Sequence, residues 1–253
     1  VHDESPTAAV TSGERVVLVH GFTQNRACWA PFDHALASGV APVSVTAVDL
    51  PGHGSAAALD LDFGASTGRL GIDGGQATYL GYSMGGRVAL ALACQVPAIV
   101  ERLVLVSASP GIADPTERAA RCVSDEALAD RLERIGLDAF LEEWLAQPLF
   151  ASLPTRAAHI DQRRQNTVAG LASSLRRSGT GAMPPLWDAL PELTMPVLLI
   201  AGALDTKFVA LAHAMAARIG PTARVALVEG AGHTAHLERP DTVAALVGRW
   251  LSS

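Results

Sequence analysis

The chain has little that would tie it to a membrane, a nucleic acid or a metal. No apolar run among its 253 residues approaches the roughly 18 that a membrane-spanning helix needs. Basic residues are outnumbered, 19 Lys and Arg against 25 Asp and Glu, and the net charge of −6 lacks the cationic footprint that displaces counterions from nucleic acid. Neither a membrane nor a nucleic-acid partner is therefore expected, and oligomeric state is left open. Only three cysteines occur, Cys28, Cys94 and Cys122. They cannot all pair and none has metal-ligand spacing, so they read as reduced, mostly buried thiols of a cytoplasmic protein. The stretch Val1 to Glu14 is polar and has no apolar segment to serve as a signal peptide, so export is not indicated. Repeats and low-complexity tracts are lacking, as is a glycine-rich loop of dinucleotide type. His233 and His236 are three residues apart with no third ligand nearby in sequence, so neither a metal nor a cofactor is expected.

What the chain does have is a large apolar fraction, 49% of residues, enough for a substantial core in one domain spanning 1-253. Apolar runs near 15-19, 43-48, 77-82, 102-107, 196-201 and 224-228 read as strands, with helical patterns between several of them. That alternation implies an α/β fold with a mainly parallel sheet covered by helices on both faces. Near the C-terminus Val243, Ala244, Val247, Trp250 and Leu251 share one helical face after Pro240. The segment from Ala56 to Gln76 is rich in glycine and alanine, and its poor helical periodicity suggests a short connection. No strand interrupts the stretch from Ile112 to Trp187, which reads as a helical lid, 112-187, inserted after the sixth core strand.

Gly81-Tyr82-Ser83-Met84-Gly85 lies between the third strand and a helical run, the strand, sharp turn and helix that present a serine as nucleophile. Flanking glycines let strand and helix approach closely. Strand 15-19 runs into His20-Gly21-Phe22, where a backbone N–H could complete an oxyanion hole with that of Met84. Strand 196-201 leads to a loop with Asp205, and strand 224-228 to Gly232-His233. The order serine, acid, histidine is that of α/β-hydrolases. An acid fixing one imidazole nitrogen lets the other take the serine proton. His236 competes for the histidine role, but a Gly-His pair just after a strand favours His233. Ser83 could instead cap its helix, Asp205 could be an ordinary loop acid, and His53 reads as part of a structural turn.

Arginine placement carries the specificity. Arg87, four residues after Ser83 on an otherwise apolar helix, shares a face with the serine turn and needs an anion, supplied either by a protein carboxylate or by a substrate. Arg118 and Arg121 could pair with Glu117 and Asp125. From Trp144 to Trp187 stand Arg156, Arg163, Arg164, Arg176 and Arg177 against one acid, Asp161, an excess opposite in sign to the whole chain. Such an excess over a site suits an anionic ligand.

The strings Gly81-Tyr82-Ser83-Met84-Gly85-Gly86-Arg87, Ser107-Ala108-Ser109-Pro110-Gly111, Glu117-Arg118-Ala119-Ala120-Arg121 with Asp125, Trp144 through Leu153, and Asp205-Thr206-Lys207-Phe208 together resemble the 2-succinyl-6-hydroxy-2,4-cyclohexadiene-1-carboxylate (SHCHC) synthase family of menaquinone biosynthesis. The likeness runs from about His20 to the C-terminus. It implies an α/β-hydrolase fold used for lyase chemistry, in which a proton is removed from 2-succinyl-5-enolpyruvyl-6-hydroxy-3-cyclohexene-1-carboxylate and pyruvate leaves. It further implies Ser83, Asp205 and His233 as triad, Phe22 and Met84 amides as oxyanion hole, and Arg87, Arg121 and Arg163 on the carboxylates of a small polycarboxylate substrate. Trp144 and Tyr82 would line the pocket. Leu145 stands where many relatives carry tyrosine. The competing readings are a serine hydrolase acting on an acidic ester, thioester or carbon-carbon bond, and a binding protein that keeps the fold without turnover.

Overall fold

The computed structural model describes residues 14–30, 32–39 and 43–253. Nearly all of the polar stretch Val1 to Glu14 lies outside the described residues. Six strands, β1 (Glu14–Val19), β2 (Val43–Val48), β3 (Ala77–Tyr82), β4 (Val100–Val106), β5 (Val197–Gly202) and β6 (Ala223–Val228), form one sheet in the order β2-β1-β3-β4-β5-β6. Every pairing is parallel. Parallel strands need crossovers, and here they are helical: α1 (Phe32–Ala37), α2 (Phe63–Gly74), α3 (Met84–Gln95), then α4 (Pro115–Ile135), α5 (Leu137–Leu145), α6 (Ile160–Arg163) and α7 (Val168–Ser178) between β4 and β5, and α8 (Thr206–Ile219) between β5 and β6. The short α9 (Ala235–Glu238) and α10 (Pro240–Leu251) complete the chain.

Both sheet faces are buried, which is why the strands read as near-continuous apolar runs. Successive side chains alternate between two cores. Val17, Val19, Leu105 and Leu199 pack with α2, α3 and α8. Val16, Leu18, Val104, Val106, Leu198 and Ile200 face the other way, onto Phe32 and Leu36 of α1 and Val243 and Val247 of α10. Strand order reverses between β1 and β3, so the loops at their C-terminal ends diverge and leave the crevice in which ligands of such sheets bind. Ser83 and His20–Phe22 follow those two strands.

Two sequence expectations are corrected. Residues 63–74 of the supposed connection form a regular helix. Asp62 caps it by accepting from Ala65 N–H, and its buried positions are Phe63, Ser66, Thr67, Leu70 and Gly74. That face has helical spacing but is largely small and hydroxylated, so a search for apolar periodicity overlooks it. The helical segment from α4 to α7 follows the fourth of the six strands described, not a sixth. It has a small core of its own, with Ala129 and Leu132 of α4 against Phe140 of α5 and Leu171 and Leu175 of α7.

Candidate active site

Ser83 sits between β3 and α3 with φ 49° and ψ −107°. A non-glycine residue held there costs on the order of 1–3 kcal/mol, and the surroundings must impose it. Ser83 N–H is tied to Val106 O of β4 at 2.9 Å. The neighbouring glycines are required by contact: a Cβ on Gly81 would lie 2.5 Å from Gly85 O, and one on Gly85 would collide with the carbonyls of Val19 and His20. The Ser83 side chain makes no capping bond to its own helix.

Its partner is His233, 3% exposed, whose Nε2 lies 3.2 Å from Ser83 Oγ. His233 Nδ1 lies 2.7 Å from Asp205 Oδ2. A carboxylate there accepts the Nδ1 proton and leaves Nε2 free to accept from the serine hydroxyl. Asp205 also caps α8, accepting from Phe208 N–H at 3.3 Å. Tyr82, Phe150 and Phe208 surround the imidazole, with ring centroids 5.4, 6.2 and 4.5 Å away.

Glu238, a residue without any sequence signal of its role, holds the histidine loop. Its buried carboxylate accepts from Gly232 N–H at 2.8 Å and from Thr234 N–H and Oγ at 3.1 and 2.7 Å, the residues on either side of His233. His236 makes no hydrogen bond to Ser83 among the described residues. It is wholly buried, 4.7 Å from the Trp29 ring and 4.4 Å from Tyr82, and neither of its nitrogens has a hydrogen-bond partner. Burial, with the charges of His159, His233 and Arg163 adding to it, holds its pKa well below the ordinary value. His53 is also buried, in contact with His20 and Phe22, its Nδ1 3.1 Å from Pro51 O.

In front of Ser83 opens a cavity of about 190 Å³ whose walls include Phe22, Tyr82, Trp144, Arg87, Arg121 and Lys207. Phe22 and Met84 both border it, and neither amide has an acceptor among the described residues. Trp144 packs edge-on against Phe22 at 5.1 Å, and its indole N–H is unpartnered. Leu145 does not border this cavity; it lies on an outer groove with Asp138 and Arg164.

Arg87 is the notable cation. It is 7% exposed and donates only to the carbonyls of Ser178 and Gly179, at 3.2 and 3.3 Å, and weakly to Met183 Sδ. Phe63 lies 6.0 Å from its guanidinium. No carboxylate forms an ion pair with it among the described residues; burial, then the nearby Arg121 charge, lowers its pKa to about 10, and the charge of Asp125 only partly opposes them. A buried cation so unsupported is costly unless an anion joins it. Arg121, more exposed, is paired with Asp125 at 2.7 Å, and Arg118 donates to Ile112 O.

Arg163 departs from expectation. It is 1% exposed, does not border the cavity, and donates to Ala158 O and to Thr23 Oγ1. Nor does the cationic excess of residues 144–187 face the cavity. Arg164 pairs with Asp138 and Asp161, Arg176 with Glu126, Asp130 and Glu133, and Arg177 with Asp60. The acids that neutralise them are mostly remote in sequence, so local counting overstates the field. The charged residues of the cavity wall are instead Arg87, Arg121, Lys207 and Asp125, the last paired with Arg121.

Among the described residues no three His, Cys, Asp or Glu side chains cluster as metal ligands, and no helix is long and apolar enough to cross a membrane. The three cysteines are free; Cys122 is exposed, not buried as its residue type suggests.

Residues 16–246 match the model of the Alpha/beta hydrolase family, and the chain belongs to that family. Within it the chain belongs to the SHCHC synthase family. A Salmonella schwarzengrund (strain CVM19633) protein named 2-succinyl-6-hydroxy-2,4-cyclohexadiene-1-carboxylate synthase is 36% identical over 89% of this chain and 88% of its own length. A Bacillus subtilis (strain 168) protein that carries the same name provisionally is 36% identical over 100% of this chain and 94% of its own. Among solved structures, that of MenH from S. aureus superposes with a TM-score of 0.88 at 34% identity, covering 97% of this chain and 96% of the other.

Proposed function

We propose that this chain is a lyase that releases pyruvate from 2-succinyl-5-enolpyruvyl-6-hydroxy-3-cyclohexene-1-carboxylate, giving SHCHC. The observation that carries the reading is Arg87, a buried guanidinium beside the Ser83–His233 pair that forms no ion pair among the described residues. A neutral ester leaves that charge uncompensated, whereas a substrate with several carboxylates supplies what the protein withholds.

Ser83, Asp205 and His233 act as the base. Asp205 fixes the imidazole so that Nε2 accepts the Ser83 proton, and the oxygen so activated removes a proton from the substrate ring. The charge that builds on the neighbouring carbonyl oxygen meets the amides of Phe22 and Met84. The Met84 amide opens α3, where the helix dipole also favours an anion. Ser83 thus serves as a base and forms no acyl-enzyme, and no water is consumed. Arg87 and Arg121 hold substrate carboxylates, Trp144 and Tyr82 wall the pocket, and α4 to α7 act as its lid. Arg163 contributes from behind the wall, through Thr23, rather than by contact in this arrangement.

The test is a coupled pyruvate assay on wild type and Ser83→Ala. Pyruvate release that depends on Ser83 supports the lyase. Absence of release from wild type, with burst acylation by an activated ester, supports instead a serine hydrolase of acidic substrates.

A further inference from the structure

Next to the cavity lies a second chamber of about 570 Å³, joined to it through shared walls at Ser83, Arg87, Arg121, Thr180, Lys207 and Phe208. Ser107, the first residue after β4, lines this chamber alone. It carries two independent penalties. Its φ is 48°, a left-handed conformation unusual for serine. Its side chain is 2% exposed and its hydroxyl has no hydrogen-bond partner among the described residues. Glycine would relieve the first penalty and alanine the second; the chain has neither. The residue is also rigidly coupled to the elbow: Ser107 N–H donates to Ile200 O at 2.8 Å while the preceding carbonyl, Val106 O, accepts from Ser83 N–H. Strain and an unpartnered buried hydroxyl at one cavity-lining residue are what a ligand-binding position shows.

The same chamber holds Lys207, the sole lysine among 19 basic residues of the chain. It is exposed and forms no ion pair among the described residues. Two acids also border the chamber, Asp114 and Glu117, of which Asp114 caps α4 by accepting from Glu117 N–H. Arg121 is paired with Asp125, which leaves Arg87 and Lys207 beside the two acids; neither of these cations is ion-paired among the described residues, so each is open to the carboxylate of a small acid.

We infer that this chamber is the leaving-group subsite, with Lys207 on the carboxylate of the enolpyruvyl arm and the Ser107 hydroxyl donating to the oxygen whose bond to the ring breaks. The inference rests on the lyase reading above. The ring C–H bond beside the succinyl ketone breaks as its proton passes to the Ser83–His233 base; its electron pair forms the 2,3 double bond, and the existing 3,4 double bond shifts to the 4,5 position. The C–O pair passes to the enolpyruvate oxygen, where the Ser107 donor meets the developing charge. The methylene carbon of that enolate then takes up the proton held by His233 and pyruvate departs, with no oxidant or water required.

Three measurements on wild type, Ser107→Ala and Lys207→Met test it. Steady-state pyruvate release should show kcat at least tenfold lower in Ser107→Ala, while its melting temperature is equal to or above wild type, because an unpaired hydroxyl is removed. Inhibition by pyruvate should weaken at least tenfold in Lys207→Met. An amine-reactive acylating reagent, read by mass spectrometry at the chain's one lysine, should modify Lys207 more slowly when pyruvate is present. Wild-type kcat in Ser107→Ala, or a loss of kcat that follows a loss of melting temperature, overturns the role of Ser107. Equal labelling with and without pyruvate overturns the subsite. If wild type releases no pyruvate the lyase reading fails separately; protection of Lys207 by pyruvate would still support a small-acid subsite, and its absence would overturn that too.

Discussion

Arg87 lies one helical turn beyond Ser83, its backbone N–H donating to Ser83 O at 3.0 Å, so the nucleophile turn and the buried cation move as one piece. Among the described residues the hydrogen-bond partners of this charge are two carbonyls and a thioether, and it stands next to a serine whose geometry is strained. Each feature costs folding free energy, and together they support the proposed reading of a site for an anion.

Arg87→Met is expected to leave the melting temperature unchanged or raised, since replacing an unpaired buried charge by an apolar side chain of similar length relieves desolvation. It should lower kcat/KM for the polycarboxylate substrate by about 100-fold or more, the loss of roughly 3 kcal/mol of charge-assisted binding. Thermal melts and steady-state kinetics on the same preparation check this. A destabilised variant with unchanged kcat/KM would make Arg87 purely structural.

Glu238→Ala removes the acceptor for both amides that bracket His233. Leaving buried donors unpaired costs about 1–3 kcal/mol each, so stability to urea should fall by about 2–4 kcal/mol. The imidazole loses its fixed position, and kcat should fall about 100-fold with KM nearly unchanged, because misplacement by an ångström harms the reacting geometry more than binding. Glu238→Gln, which keeps one acceptor, should fall between. A stability loss without any change in kcat would separate Glu238 from catalysis.

Acid should destabilise the fold. His20 and His53 are buried with pKa values lowered to about 4 and about 3, in each case first by burial, and His236 is lowered further still below the ordinary value. The unfolded chain takes up these protons near pH 6.5 while the folded chain does not, so stability is present above pH 6.5 and declines as pH falls below it. Between pH 6.5 and 5 each fully buried histidine contributes a loss of about 2 kcal/mol, somewhat less for the mutually coupled His20–His53 pair. Urea midpoints at pH 7 and pH 5 measure the slope, and His236→Leu should remove about a third of it. A pH-independent midpoint would contradict the neutral, buried state of these rings.

The elbow and its partners were legible because their signals are local. A serine between glycines at a strand end, and a Gly-His pair after another strand, fix backbone geometry within a few residues, and the structure brings Ser83, His233 and Asp205 within hydrogen-bond reach. Electrostatics was not local. Arg176 is neutralised by Glu126, Asp130 and Glu133 across the α4–α7 contact, so a charge excess counted along 144–187 never reaches the cavity. Arg163, on the short α6, is turned to Ala158 and Thr23 by loop packing that no periodicity encodes. Helix α2 escapes a search for apolar periodicity because Ser66, Thr67 and Gly74 make up three of the five positions of its buried face. Lys207 and Ser107 stood inside recognisable strings, yet their placement in a chamber beside Ser83 depends on two separate strand ends converging.

The most direct test of the account is pyruvate release from the enolpyruvyl substrate, followed in water enriched in the heavy oxygen isotope. The account predicts release by wild type with no solvent oxygen entering the cyclohexadiene product, and a fall of at least 1000-fold in Ser83→Ala, the scale of losing a triad nucleophile or base. Wild-type enzyme that releases no pyruvate, or Ser83→Ala that releases it at the wild-type rate, would contradict it.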